Sequence, residues 1–142
     1  MADNKGGMMA TLEKIEGIGP EYVRQLSGIG IKTTRALLEK GAEPGGRKEI
    51  EKATGISHKL ILEWVNLADL FRVKGIGEEY SDLLEEAGVD TVAELAKRRA
   101  DNLYQKVIEV NSYKKLVRQA PSEKMIAGWI DQAKKLPRAV KY

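Results

Sequence analysis

A chain of 142 residues with 42% hydrophobic and 32% charged residues has a globular composition, enough for one body or two very small ones. It has no cysteine, which excludes a disulfide framework and a thiolate metal site, and its apolar runs fall short of the ~20 residues of a membrane helix. The net charge of +3 is unevenly spread: residues 1–72 are nearly neutral, residues 73–95 hold one base against seven acids, and residues 96–142 hold twelve bases against four acids.

Asp3-Asn4-Lys5-Gly6-Gly7 reads as a flexible leader or a vector-derived run, and residues 1–10 lack the apolar core of a signal peptide. Thr11 suits the cap of a brief helix over Leu12–Ile15, which Gly17-Ile18-Gly19 breaks. Pro20 fits the first position of the next helix, since its missing N–H costs nothing there. That helix carries Tyr22, Val23 and Leu26 and ends at Gly28 and Gly30. Thr33 caps a third helix with Ala36, Leu37 and Leu38, stopped by Gly41. Pro44-Gly45-Gly46 reads as a loop. Arg47–Thr54 follows as a helix closed by Gly55, and Ser57 caps a fifth with Leu60, Ile61, Trp64, Val65 and Ala68 at helical spacing.

The order then repeats. Glu16-Gly17-Ile18-Gly19-Pro20-Glu21-Tyr22 reappears as Lys74-Gly75-Ile76-Gly77-Glu78-Glu79-Tyr80, and Gly30-Ile31-Lys32-Thr33 as Gly88-Val89-Asp90-Thr91. A helix to Ala87 and one over Val92–Arg98 match the first copy. Asp101–Val110 and Ser112–Gln119 read as two helices replacing one. The copies realign where Trp129 meets Trp64, after an insertion near residues 99–118. A repeat of this length is one small unit written twice, dividing the chain into residues 11–72 and 73–142. The expected fold is all-α, with the two units packed together because each alone has a marginal core. Val107-Ile108-Glu109-Val110 is the only β-like run.

A Gly-Ile-Gly turn between two helices suggests a helix-hairpin-helix. The glycines accept positive φ and keep Cβ atoms clear. The Ile plugs between the helices, and the second helix offers its free N-terminal amides to an anion. Phosphate bound this way gives sequence-independent nucleic-acid contact. Residues Thr11–Leu70 resemble the tandem helix-hairpin-helix domain at the N-terminus of RadA-type recombinases and related repair proteins. The resemblance rests on Gly-Ile-Gly-Pro, on Gly30-Ile31-Lys32-Thr33 and on Ala53-Thr54-Gly55-Ile56-Ser57. With Tyr22/Tyr80 and Trp64/Trp129 in matched places, the chain beyond Ala10 looks still more like an uncharacterised bacterial family known only as a domain of unknown function. That resemblance implies five short helices per unit, of the SAM-like kind, and no established activity.

The nucleic-acid reading names Lys14, Gly17, Ile18, Gly19 and Arg24 at the first turn and Gly75 and Gly77 at the second. It adds Lys59, near a degenerate hairpin, and the basic residues Lys97, Arg98, Arg99, Lys114 and Lys115. DNA would be held through its phosphates and binding would weaken with salt. Acids stand where basic residues usually follow such turns, namely Glu21, Glu78 and Glu79, so a structural corner is the competing reading for each turn. The alternative function is a protein-interaction or adaptor module that binds no DNA, suggested by the acidic second hairpin beside the basic C-terminal third. Trp64 and Trp129 suit core anchors, with base stacking as the alternative, and Tyr22 and Tyr80 suit packing on a neighbouring helix. His58 stands alone, so no transition-metal site is expected. No nucleophile–histidine pairing or phosphate loop appears. The expectation is a non-enzymatic, cytoplasmic protein without cofactor, membrane contact or small-molecule substrate.

Overall fold

The computed structural model describes residues 10–142; helices joined by turns and loops make up these residues, with no strand among them. A 3-10 turn at Leu12–Lys14 precedes α1 (Pro20–Ser27), α2 (Thr34–Gly41), α3 (Pro44–Thr54), α4 (His58–Leu70), α5 (Glu78–Glu86), α6 (Val92–Ala96), α7 (Ala100–Lys114) and α8 (Glu123–Lys135). The leader assigned to residues 1–10 lies outside the described residues except for Ala10. That residue is structured: its carbonyl accepts from the Thr34 amide at 2.9 Å.

Helix starts follow the hydroxyl caps. Thr33 accepts from the Ala36 amide, Ser57 from Leu60, Thr91 from Glu94 and Ser122 from Met125. Each side chain satisfies one of the amides a helix leaves unpaired at its N-terminus. These caps recur in matched positions of the two copies. Gly28-Ile29-Gly30 is a helix ending: the Gly28 amide donates to the Arg24 carbonyl and the Ile31 amide to the Leu26 carbonyl, with Gly30 at φ +88° and its counterpart Gly88 at +96°.

Two expected boundaries are corrected. Pro44-Gly45-Gly46 is the first turn of α3 and not a loop. A Cβ on Gly46 would lie 1.8 Å from the Lys40 carbonyl oxygen, so glycine here lets α3 pack on the end of α2. The two helices expected over residues 101–119 are one helix, α7, followed by a loop from Lys115. Asn111 and Ser112 do not break it: the Ser112 hydroxyl donates to the Glu109 carbonyl, and Asn111 reaches out to the loop. The β-like run at Val107–Val110 lies within α7.

Buried side chains form two clusters. The first gathers Leu12, Ile15, Ile18, Leu26, Leu37, Ile50, Ile61 and Trp64. The second gathers Leu70, Val73, Ile76, Leu83, Leu95, Val107, Ile126 and Trp129. Leu12-Ile15-Ile18 in the first matches Leu70-Val73-Ile76 in the second, and all six are at most 4% exposed. The 3-10 turn that leads into the first hairpin thus has its counterpart in the end of α4, so one helix closes the first cluster and opens the second. The chain also crosses back. Val140, 2% exposed, packs in the first cluster although α8 belongs to the second. The Lys141 amide donates to the Ala42 carbonyl, and the buried Arg47 guanidinium donates to the Lys141 and Gly41 carbonyls, each at 2.8 Å.

Asp69, on α4 and 1% exposed, ties these crossings together. One carboxylate oxygen accepts from the Val92 amide at the start of α6 and the other from Arg72, both at 2.8 Å. Arg72 in turn donates to the Pro137 carbonyl at 2.7 Å. Breaking a buried ion pair by removing one partner costs about 3–5 kcal/mol. Asp69→Ala is therefore expected to lower the unfolding free energy by about that much in urea titration. Asp69→Asn, whose amide oxygen can still accept from Val92, should lose less.

Candidate functional site

Each Gly-Ile-Gly turn is assembled from the same parts. Gly17 and Gly75 have φ of +95° and +96°, a region that costs residues with a Cβ about 1–2 kcal/mol. A Cβ at either glycine would also stand 3.3 Å from Trp64 Nε1 or 2.9 Å from Trp129 Nε1. Ile18 and Ile76 point into the two clusters. Tyr22 packs edge-on to Trp64 with ring centroids 4.8 Å apart, and Tyr80 tilts against Trp129 at 5.2 Å. The tryptophans are 1% and 4% exposed, so both are core anchors beneath the turns, and the tyrosines pack on them.

Gly19 and Gly77 differ in kind. They are extended N-cap residues with negative φ, and a Cβ there would have nothing within 4 Å. No side chain caps α1 or α5. Their leading amides are the free donors an anion would use. The charges around them are of the wrong sign. A shallow hollow of about 350 Å³ over the first turn is lined by Glu13, Glu16 and Glu78 as well as by Gly17, Ile18 and Gly19. Glu78 comes from the second turn, so the two turns lie side by side. That second turn is also clamped: Gln132 exchanges two hydrogen bonds with the Lys74 backbone, at 2.9 and 3.1 Å.

The basic residues singled out in the sequence are mostly engaged. Lys14 lies 4.0 Å from Glu78, and Arg24 pairs with Glu21 on its own helix. Arg98 contacts Glu94 at 3.4 Å and donates to the Gly88 carbonyl at 2.8 Å. Arg99 pairs with Asp101 at 2.9 Å and Lys114 with Glu86 at 2.7 Å. Lys59, Lys97 and Lys115 are exposed and have no ion-pair partner among the described residues. They are not neighbours: Lys97 precedes α7 and Lys115 ends it, about 20 Å along the helix at 1.5 Å per residue. A groove of about 420 Å³ holds Arg98, Arg99 and Lys134, but faces them with Asp101, Glu123 and Asp131.

Carboxylates do converge where α4 meets α5. Asp82, Glu85 and Glu86 present oxygens within 4.8 Å of one another. Burial, then the charges of Glu63, Asp82, Glu86 and Asp90, push the Glu85 carboxyl up to about 7. Burial and the charges of Glu16 and Glu86 raise Asp82 as well. Lys114, hydrogen-bonded to Glu86, is the cation at the edge of this group. An all-carboxylate set of this kind suits hard cations and basic side chains, not soft metals.

Residues 16–136, from the first turn to the end of α8, match DUF4332, a domain of unknown function. The chain belongs to this family. No curated protein and no solved structure matches it. The DUF4332 region takes in both turns and both tryptophans, and stops before the segment that returns to Arg47. No helix among the described residues is long and apolar enough to cross a membrane.

The seam acids were visible in the sequence as a run on one helix. Their meeting with Glu16 and Glu63 was not, because it needs α4 and α5 to pack. His58 is exposed at the first position of α4, consistent with a surface role.

Two measurements test this geometry. Gly75→Ala should lose about 2 kcal/mol or more in urea unfolding, from its positive φ and its contact with Trp129. Gly77→Ala should stay within about 0.5 kcal/mol, as expected for an unstrained exposed site. For Glu85, the native state keeps a proton that the unfolded chain releases near 4.5. Stability is therefore expected to fall as pH rises from about 4.5 to 7. Glu85→Gln should flatten that fall, being more stable than the parent at pH 8 by roughly 1 kcal/mol, a figure discounted for solvent screening. The two proteins should converge below about pH 4.5, where Glu85 is protonated in both states.

Proposed function

We propose that this DUF4332 chain is a tandem helix-hairpin-helix protein that acts by docking, not by catalysis, and that it holds a basic protein segment along its acidic seam. The hairpin assignment is supported by both turns, each set between helical segments with a buried Ile and a glycine at positive φ. The observation that carries the functional reading is the sign of the charge. Glu13, Glu16 and Glu78 surround the first turn, while Lys14 and Arg24 are already paired with acids. Further along, Glu63, Asp82 and Glu86 stand around Glu85, whose carboxyl is raised first by burial and then by their like charges. A Lys- or Arg-rich segment would relieve that repulsion, and a phosphate backbone would add to it. The turns then serve as corners that bring α4 and α5 together.

A second reading, nucleic-acid binding through phosphates, is favoured by one observation. The amide ends of α1 and α5 are uncapped and open beside Gly19 and Gly77.

Amide-resolved NMR titration at low salt separates the two. Hexalysine is expected to shift Glu63 and residues 82–86, more tightly at pH 8 than at pH 5.5 because Glu85 must ionise. The double variant Glu63→Gln/Glu85→Gln should weaken it about tenfold, equal to ~1.4 kcal/mol. A 20-base-pair duplex should leave Glu21, Tyr22, Glu79 and Tyr80 unmoved. Duplex-induced shifts there, with no response to hexalysine, would replace the first reading with the second.

A further inference from the structure

The insertion that distinguishes the second copy builds a surface unlike the seam. Five large hydrophobic residues are exposed among those described, and two of them, Ile108 at 37% and Met125 at 40%, face one hollow of about 470 Å³. Tyr80 and Tyr104 line it too, with Pro121 from the loop after α7. Exposed apolar side chains scattered singly need no explanation, but a shared concave patch does. The hollow is also preformed. The Asn111 carboxamide grips Val117 at both its amide and its carbonyl, at 3.0 and 3.2 Å. The Tyr80 hydroxyl donates to the Gln119 carbonyl at 3.3 Å, and Pro121 is buried. A loop fixed in this way loses little entropy when something binds to it.

The charge beside this hollow indicates what fits. Lys115 and Arg118 line a second hollow of about 670 Å³, which meets the first through the chain neighbours Arg118–Gln119 and Glu79–Tyr80, and Lys124 precedes Met125. All three are exposed and have no ion-pair partner among the described residues. Glu79 is the one acid in the adjoining hollow. Nearby Glu109 and Glu86 already pair with Lys106 and Lys114. Tyr104 and Ile108 stand four residues apart on α7, so they form a ridge along one face of that helix.

We infer that this hollow docks an amphipathic helix whose apolar stripe is flanked by Asp or Glu. One or two apolar side chains at helical spacing fill the space between Tyr80, Tyr104, Ile108 and Met125, and the flanking carboxylates meet Lys115, Arg118 and Lys124. The chain then has two faces of opposite partner preference, with the seam for basic segments and the hollow for acidic ones. The second does not depend on the first.

The test uses the full chain and two designed 14-residue helical peptides. Both carry Leu at i, i+4, i+7 and i+11, one flanked by Glu and the other by Lys. By fluorescence anisotropy at low salt the Glu peptide should bind, and NMR should place it on Tyr104, Ile108, Gln119 and Met125. Ile108→Glu should weaken it at least tenfold, and Lys115→Glu/Arg118→Glu about fivefold, with thermal unfolding unchanged. Ile108→Gln serves if the charged variant does not fold, and should still weaken binding severalfold. Equal binding of both peptides at the hollow, or an affinity unmoved by Ile108→Gln and by the charge reversals, would overturn the inference. So would self-association in sedimentation that Ile108→Gln abolishes, since the hollow would then be an interface between copies of this chain.

Discussion

The arrangement of the two halves depends on a carboxylate with almost no contact with water. Asp69 lies where the first cluster ends and the second begins, and its two oxygens serve different masters. One starts α6 by accepting from its first amide. The other holds Arg72, whose guanidinium reaches the backbone just after α8. In the first copy the matching amide, that of Thr34, is satisfied by a plain backbone carbonyl from Ala10. The second copy has no free chain at that place, because the preceding residues are already wound into α4. A side-chain acceptor takes over. Sharing α4 between units thus requires a buried charge, and a buried charge tolerates little relative movement of its partners.

The same sharing explains why the turns look alike and behave differently. Both rest on a tryptophan that crowds the first glycine, tightly at Gly17 and with no room for a Cβ at Gly75. Yet the second turn is pinned by Gln132, while in the first copy that side-chain position belongs to Leu67, buried in the core. Bringing the turns together also brings their acids together. Glu78 reaches the first turn's hollow, and Glu16 reaches the field of Asp82. What each copy would do alone is altered by the other's side chains.

Much of this fold can be read along the chain because its signals are local. Positive φ at Gly17 and Gly75, and caps at Thr33, Ser57, Thr91 and Ser122, act within four residues. The misread segments are those where a distant atom decides. Gly46 looks like a loop residue until the Lys40 carbonyl is seen to leave no room for a side chain there. Asn111 looks like a break until its side chain is found holding Val117. The site follows the same division. Arg24–Glu21 and Arg98–Glu94 are neighbours on their own helices and legible as such. Lys14–Glu78 and Lys114–Glu86 join residues from different elements, and it is these pairs that consume the charges a phosphate would need. Side-chain type and spacing suggested a basic surface; local pairing takes up Arg24, Arg98 and Arg99, and packing adds Lys14 and Lys114.

The return of the chain to Arg47 has a consequence for how the protein is made. Arg47 and its neighbours leave the ribosome long before Lys141, whose carbonyl accepts one of the guanidinium's hydrogen bonds. Until then the first cluster also lacks Val140, so a buried cation and an apolar gap wait at its edge. The half synthesised first is finished last. A nascent chain halted before residue 140 would leave the place of Val140 in the first cluster open to whatever stands nearby.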